Sequence, residues 1–168
     1  MLDLLHIENI AVIEQADIEF GRGLNVLTGE TGAGKSIIID AIGAILGGRT
    51  SKELVRTGAQ SALISAELNI SAPAEEWLKN EGISFEQGEE MIISRRITSE
   101  GKTACRINGV PVSTAQLRAL GDILFDVHGQ NDGRRLLSEA NHCDYLDAFG
   151  GLSSLSKSFR EEYSRDTA

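Results

Sequence analysis

Eight consecutive residues carry the most specific chemistry in this chain. Gly29, Glu30, Thr31, Gly32, Ala33, Gly34, Lys35 and Ser36 spell G-E-T-G-A-G-K-S, a match to the pattern GxxxxGK[ST]. Glycine tolerates positive φ, so Gly29, Gly32 and Gly34 let the backbone bend with its N–H groups turned inward. Those amides, with the positive end of a following helix, make a cavity for a di- or triphosphate. Lys35 is placed to reach the β- and γ-phosphates as a point charge. Ser36 offers a hydroxyl to Mg2+, a cation that takes oxygen ligands and keeps several waters. A glycine-rich turn could match the pattern by chance, and the flanking residues argue against that. The apolar run 24–28 (LNVLT) precedes the loop as a short strand, and a helical pattern follows it over residues 35–46.

The elements around this loop can be read in turn. Residues 2–10 and 13–20 are predicted as two strands joined by a very short turn, with Ile13, Ala16, Ile18 and Phe20 alternating roughly with acidic neighbours. Gly21 and Gly23 mark the next turn. In the helix 35–46 Asp40 is the only acidic side chain, and a helix apolar nearly all round is expected to be buried. Gly47-Gly48 stops it. Residues 61–70 read as a strand, and Pro73 opens a short helix through Lys79 with Trp77 and Leu78 as its apolar contacts. Residues 91–98 and 103–107 form a hairpin, and Asn108-Gly109 is a tight turn toward Val110. Ser113 with Gln116 fits a capping box for a helix through Leu120. A short buried strand over 123–127 then leads into His128-Gly129-Gln130-Asn131-Asp132. The expected architecture is α/β. A mixed sheet around the strand 24–28 packs on the helix 35–46, and an antiparallel β subdomain comes from the N-terminal and 91–107 hairpins.

Composition bounds the rest. A chain of 168 residues, 41% hydrophobic and 24% charged, fits one soluble globular domain. No basic and apolar leader follows Met1, and no stretch approaches the ~20 apolar residues of a membrane span, so no membrane is expected. Cys105 and Cys143 make no disulfide framework, as suits reduced thiols in a cytoplasmic protein, and His142 beside Cys143 has no spaced partner for a metal. The net charge of −9 places any nucleic-acid contact on a local patch or on another part of the protein.

Several further residues could carry chemistry. Asp126 ends an apolar run in the manner of a Walker B strand, but Val127 stands where an adjacent Glu is expected. Gln130 could reach Mg2+ and the attacking water as a neutral ligand, or simply cap a surface turn. Arg95, Arg96, Lys102 and Arg106 gather on the hairpin, with Arg95 and Arg96 on opposite faces by alternation. They read either as phosphate contacts or as scattered charge on a solvated hairpin. Arg49 and Arg56 follow the loop's helix and could touch nucleotide or a partner surface. Leu152, Leu155, Phe159 and Tyr163 recur at helical spacing, either as a core-packing face or as the start of a coiled coil.

Taken together, five stretches are similar to one family. They are the opening L-x-I-E-N-I-A-V-I-E, the loop and helix GETGAGKSIIIDAI, G-G-R followed by E-L-V-R-x-G, the hairpin R-R-I-T-S-E-G-K-T-A-C-R-I-N-G, and D-V-H-G-Q-N-D. From about Leu2 to Phe149 the chain resembles the N-terminal head segment of the RecN family, bacterial DNA-repair ATPases related to SMC and ABC-type ATPases. The loop alone is shared by many families, whereas I-E-N-I-A-V-I-E with I-N-G and H-G-Q is far more specific. The resemblance implies an ATPase half-head, with residues 1–149 as its N-terminal lobe and 150–168 as the root of a long coiled-coil helix. It implies ATP and Mg2+ as ligands, with Gly29 to Ser36 on the phosphates, Ser36 and Gln130 at the metal, Lys35 and Gln130 serving catalysis, and Asp126 only as a strand-end residue. A C-terminal lobe would bring the signature motif and the Walker B Asp-Glu. Two heads would then sandwich ATP on DNA during double-strand-break repair and recombination, in a cytoplasmic, nucleoid-associated protein. Asn131-Asp132 departs from the His or Glu usual after H-G-Q and is given no role. Two rival readings stand beside this one: a self-contained P-loop phosphotransferase using Asp126, and a non-catalytic module that keeps the loop only as structure.

Overall fold

The computed structural model describes residues 1–29, 34–86, 88–125 and 142–166. These fall in two compact units, Met1–Phe125 and Asp126–Ala168. The first unit is built on a six-stranded sheet: β1 (Leu2–Ile10), β2 (Ile13–Glu19), β3 (Ser61–Leu68), β4 (Met91–Thr98), β5 (Thr103–Ile107) and β6 (Val110–Val112). The spatial order is β2-β1-β3-β4-β5-β6, and every neighbouring pair is antiparallel. Strict alternation explains which face is buried. In β3, Ala62, Ile64, Ala66 and Leu68 face the core while the residues between them are half-exposed. In β1 the spacing slips, since Leu2 and Leu5 are both buried at an odd separation. A register shift between Leu2 and Leu4 against β3 accounts for it, because a bulge re-aims every side chain beyond it.

Helices α1 (Lys35–Ile45), α2 (Ala72–Asn80) and α3 (Thr114–Leu124) add Ala41, Ala44, Ile45, Ala74, Leu78, Leu117 and Leu120 to the same core. Asn108-Gly109 turns the chain between β5 and β6 with φ of 47° and 79°, the paired left-handed geometry of a two-residue hairpin. Asn108 also accepts from the Ile92 amide at 2.8 Å, which ties that turn to β4. The capping box forms as expected: the Gln116 amide donates to Ser113 Oγ at 3.2 Å, and the Ser113 amide donates to Gln116 Oε1 at 2.9 Å.

Three expectations need correction. Residues 24–28 pair with no described strand, Leu24 is 90% exposed, and no mixed sheet forms around them. An isolated apolar segment becomes a strand only when another strand satisfies its backbone. Helix α1 is covered on one face only, and Ile39 is 54% exposed. Its apolar composition thus marks two faces that want cover, of which this chain covers one. Finally, Ile123 and Leu124 belong to the last turn of α3 rather than to a strand. Leu117, Leu120 and Leu124 continue the helical spacing through them. The rest of that expected strand, from Asp126 on, lies outside the described residues.

The second unit contains α4 (His142–Phe149), which was not foreseen, and α5 (Ser153–Asp166). Gly151, at φ 68°, supplies the left-handed turn between them, and the Leu152 amide donates to Asp147 O at 2.7 Å. Phe159 and Tyr163, one turn apart, stack with ring centroids 6.2 Å apart. Leu152, Leu155, Phe159 and Tyr163 are all exposed. Among the described residues no helix is long and apolar enough to cross a membrane.

Candidate nucleotide-binding site

The glycine-rich loop is approached by residues 21–25, closed on themselves by one side chain. Asn25 accepts from the Gly21 amide at 2.9 Å and donates to the Gly21 carbonyl at 2.8 Å. Glu30, Thr31, Gly32 and Ala33 lie outside the described residues, as do Asp126 and Gln130. What is described is the two ends of the loop. Gly34 is the N-cap of α1 at φ 93°, a conformation that any residue with a Cβ would adopt only under strain. Its carbonyl accepts the first helical bond, from the Ile38 amide at 3.1 Å. Lys35 Nζ donates back to the Gly29 carbonyl, so the ammonium joins the first and last turns of the loop. Ser36 is exposed.

The electrostatics at this end of α1 are one-sided. The first amides of a helix have no acceptor inside it. Elsewhere a Ser, Asp or capping box fills that need, as Ser113 does for α3. Here the cap is a glycine with no side-chain acceptor, and no acidic residue sits in the first turn. The helix dipole and the Lys35 ammonium therefore both favour an anion at this end. That donor set fits a phosphate chain. Among the described residues, no three His, Cys, Asp or Glu side chains converge as a metal site would require.

The arginines part company. Arg56 pairs with Glu14 at 3.4 Å, and its amide donates to Asn9 O at 2.9 Å, which fixes the segment after α1 against the β1–β2 turn. Ile13, at the start of β2, is the nearest side chain to Gly34. Arg96 and Arg106 share the solvent face of the hairpin, donating to Ser61 Oγ at 3.1 Å and Gly109 O at 2.8 Å. Lys102 pairs with Glu100 at 2.7 Å. Arg95 is neither a solvated charge nor an exposed contact, because it is 2% exposed on the core face. Its Nη1 donates to Ala44 O and Gly48 O, both at 2.7 Å, its Nη2 to Thr50 Oγ1 at 3.0 Å, and its Nε to Thr103 Oγ1 at 3.0 Å. It caps the carbonyl end of the helix whose amino end carries the loop. Burial pulls its pKa down from the ordinary value, and among the described residues no carboxylate pairs with it.

A family model for the AAA domain matches residues 4–147. Over 172 aligned residues the chain is 46% identical to the DNA repair protein RecN of Bacillus subtilis (strain 168), a match that covers 98% of this chain and 29% of that protein. RecN of Halalkalibacterium halodurans is 44% identical over 166 residues, with 97% and 29% covered. The chain thus spans about 29% of the length of the curated relatives it matches. Among solved structures, a chain from work on ATP-driven dimerization and DNA-stimulated activation of SMC ATPases superposes with a TM-score of 0.63 at 20% identity, covering 87% of this chain and 97% of the other. The SMC head domain from Thermotoga maritima gives 0.54 at 24% identity, covering 70% and 41%. At such identities these likenesses speak for the fold, an α/β SMC-type head with an antiparallel β part. The chain belongs to the AAA-domain family, and the RecN resemblance carried by its motifs holds over nearly its whole length.

Proposed function

We propose that this chain is the ATP-binding N-terminal lobe of a RecN-type, SMC-like ATPase head that works in DNA double-strand-break repair and recombination in the bacterial cytoplasm, at the nucleoid. One observation carries the reading: α1 begins at a glycine cap with no acid in its first turn, and Lys35 folds across the mouth of the loop. Residues 29–36 hold the phosphates through main-chain amides and the Lys35 ammonium. Ser36 and Gln130 attend Mg2+, which when bound neutralises charge on the phosphates.

Turnover requires groups this lobe does not bring. Transition-state charge must be met by positioned donors, and a nucleotide hydrolase also needs a second carboxylate at the metal. A C-terminal lobe and a facing head supply them in this reading, which agrees with the dimerization and DNA activation named for the SMC ATPases of similar fold. The apolar surface left open points the same way. Leu24, Val26, Leu27 and Ile39 are exposed beside the loop and on its helix, and each such side chain contributes about 1.5–3 kcal/mol when buried. A strand of the C-terminal lobe laid along residues 24–28 would satisfy both backbone and side chains. Residues 1–149 then form the lobe, and 150–168 begin the coiled coil, with Leu152, Leu155, Phe159 and Tyr163 as its seam.

The test is thermal melting of the 168-residue chain with and without Mg-ATP. A ligand that binds the folded state raises the melting temperature by mass action. The expected result is a rise in the parent that Lys35→Ala removes. An identical rise in both, or none in either, would refute the binding role of the loop. Fast hydrolysis by this chain, abolished by Asp126→Asn, would instead make it a self-sufficient catalyst.

A further inference from the structure

We propose that the notch where the carbonyl end of α1 crosses the N-terminal half of α3 is a second anion site, one that takes a phosphate group and is separate from the glycine-rich loop. The two helices meet there at backbone contact. A Cβ on Gly47 would lie 2.5 Å from the Arg118 amide nitrogen, and one on Gly121 would lie 2.8 Å from Leu46 O. This close crossing sets Arg118 of α3 beside the end of α1. The notch beside it is open to solvent, about 460 Å3 in volume, and lined in part by Arg49, Arg95 and Arg118, with Thr50, Thr103 and Thr114 among them and no acidic residue.

Three features select an anion. Arg95 is buried and forms part of the cavity wall, and no carboxylate among the described residues pairs with it. A guanidinium has five N–H donors. Four of those on Arg95 are spent on Ala44 O, Gly48 O, Thr50 Oγ1 and Thr103 Oγ1, which leaves one on Nη2 with no acceptor among the described residues. A buried cation balanced only by neutral oxygens and the negative end of one helix gains from a nearby anion. Second, Arg49 and Arg118 are exposed at the rim and make no ion pair or side-chain hydrogen bond to any described residue. Third, Thr114 and Ala115 open α3 and line this space, so the positive end of that helix dipole lies beside it, with the Gln116 amide already taken by Ser113. Two carbonyls at and just past the end of α1, those of Ala44 and Gly48, already accept from Arg95. Tetrahedral phosphate oxygens match this set, with the rim arginines able to engage them two-pronged. The group could belong to a nucleic-acid backbone or to a free phosphate compound.

The experiment uses the full chain carrying Lys35→Ala, so that the loop contributes little. Calorimetry with inorganic pyrophosphate and anisotropy with a labelled DNA duplex are each read before and after adding Arg49→Ala and Arg118→Ala together. Both arginines are exposed, so the unliganded melting temperature should stay within a degree or two, and Arg118→Gln alone serves as a milder check. The expected result is at least a tenfold loss of affinity for one probe or both. Loss on the duplex, with a salt dependence shallower by roughly one unit per arginine, assigns the site to a nucleic-acid backbone. Loss on pyrophosphate alone assigns it to a free phosphate compound. Equal binding of both probes by variant and parent, or no binding by either, overturns the site. None of these outcomes bears on the Lys35-dependent melting shift with Mg-ATP.

Discussion

Replacing Arg95 by Met isolates the capping of α1 from the packing of the strand. Methionine keeps the unbranched stem on the core face of β4, between Ile93 and Ile97, and removes only the guanidinium. Two bonds to hydroxyls go with it, but Thr103 is exposed and Thr50 half-exposed, so water replaces those. Gly48 O is also within reach of water, since Gly48 is half-exposed. Ala44 O is different: Ala44 is buried at 2% exposure, so its carbonyl keeps only the Gly47 amide at 3.1 Å and gains no water in place of the guanidinium. Both carbonyls lose a charge-assisted bond, and each such loss costs a share of the about 1.5–3 kcal/mol those bonds contribute. Relief from burying a cation works in the opposite direction. The net expectation is a loss of about 1–3 kcal/mol, a sizeable part of the 5–15 kcal/mol typical of a folded domain. Urea denaturation followed by circular dichroism should show a lower midpoint at unchanged slope. Arg95→Lys should fall between the two, because one ammonium cannot bridge two carbonyls in fixed geometry. A midpoint for Arg95→Met equal to that of the parent would refute the reasoning and mean that the Gly47 amide and water suffice at the end of α1.

Other perturbations probe the same packing and the far edge of the sheet. Gly47→Ala should destabilise far more than Gly58→Ala. Both glycines have positive φ, which costs an alanine about 1–2 kcal/mol, but only at Gly47 does a Cβ meet backbone, so the difference between the two urea midpoints reports the α1–α3 contact. Gly121→Ala should also lose about 1 kcal/mol or more, because overpacking against Leu46 O outweighs a helix-propensity gain of at most about 1 kcal/mol. His6 donates from Nδ1 to Asp17 at 2.5 Å and from Nε2 to Glu8 at 2.9 Å, and those bonds raise its pKa above the ordinary 6.5, Asp17 first and Glu8 second. A raised folded pKa means the added stability is complete below about 6.5 and fades as pH climbs through the folded value. His6→Gln should therefore narrow the midpoint gap between mildly acidic and alkaline buffer, and a gap equal to that of the parent would show that the two carboxylates do not hold the imidazolium.

Much of the first unit was legible because its signals are local. The stretches 2–10, 61–70 and 91–98 read as strands and are β1, β3 and β4 to within two residues, Asn108-Gly109 announced its turn, and Ser113 with Gln116 announced the start of α3. The misreadings share a cause: each concerned an apolar run whose state depends on something beyond the run. Residues 24–28 have the composition of a strand, yet a strand needs an edge to join, and no described strand provides one. The apolar faces of α1 describe what the helix would bury, not what covers it here. Ile123 and Leu124 are apolar in either state, and only the spacing back to Leu117 and Leu120 identifies them as helical. The loop was legible as a pattern, since glycine spacing and a lysine are fixed by local backbone needs, whereas the glycine cap without a side-chain acceptor became visible only with the helix in place.

Arg95 is the instructive failure, and the signal for it was present. Counting by twos along β4 gives Met91, Ile93, Arg95 and Ile97, so an arginine stands on an otherwise apolar row. Grouping it with Arg96, Lys102 and Arg106 by proximity in sequence put it on the surface; grouping it by face puts it in the core. A cation on a buried row must find acceptors, since the cost of burying it bare exceeds what a small domain can absorb. Backbone carbonyls at a helix end are the acceptors most available in a layered α/β fold, and α1 is the helix that lies against β4. The same residue therefore had to meet the end of the helix whose beginning carries the glycine-rich loop. Sequence alone could have shown that Arg95 caps some helix; only the antiparallel register of β4 with β5, setting Arg95 opposite Cys105, fixes where along the sheet it does so.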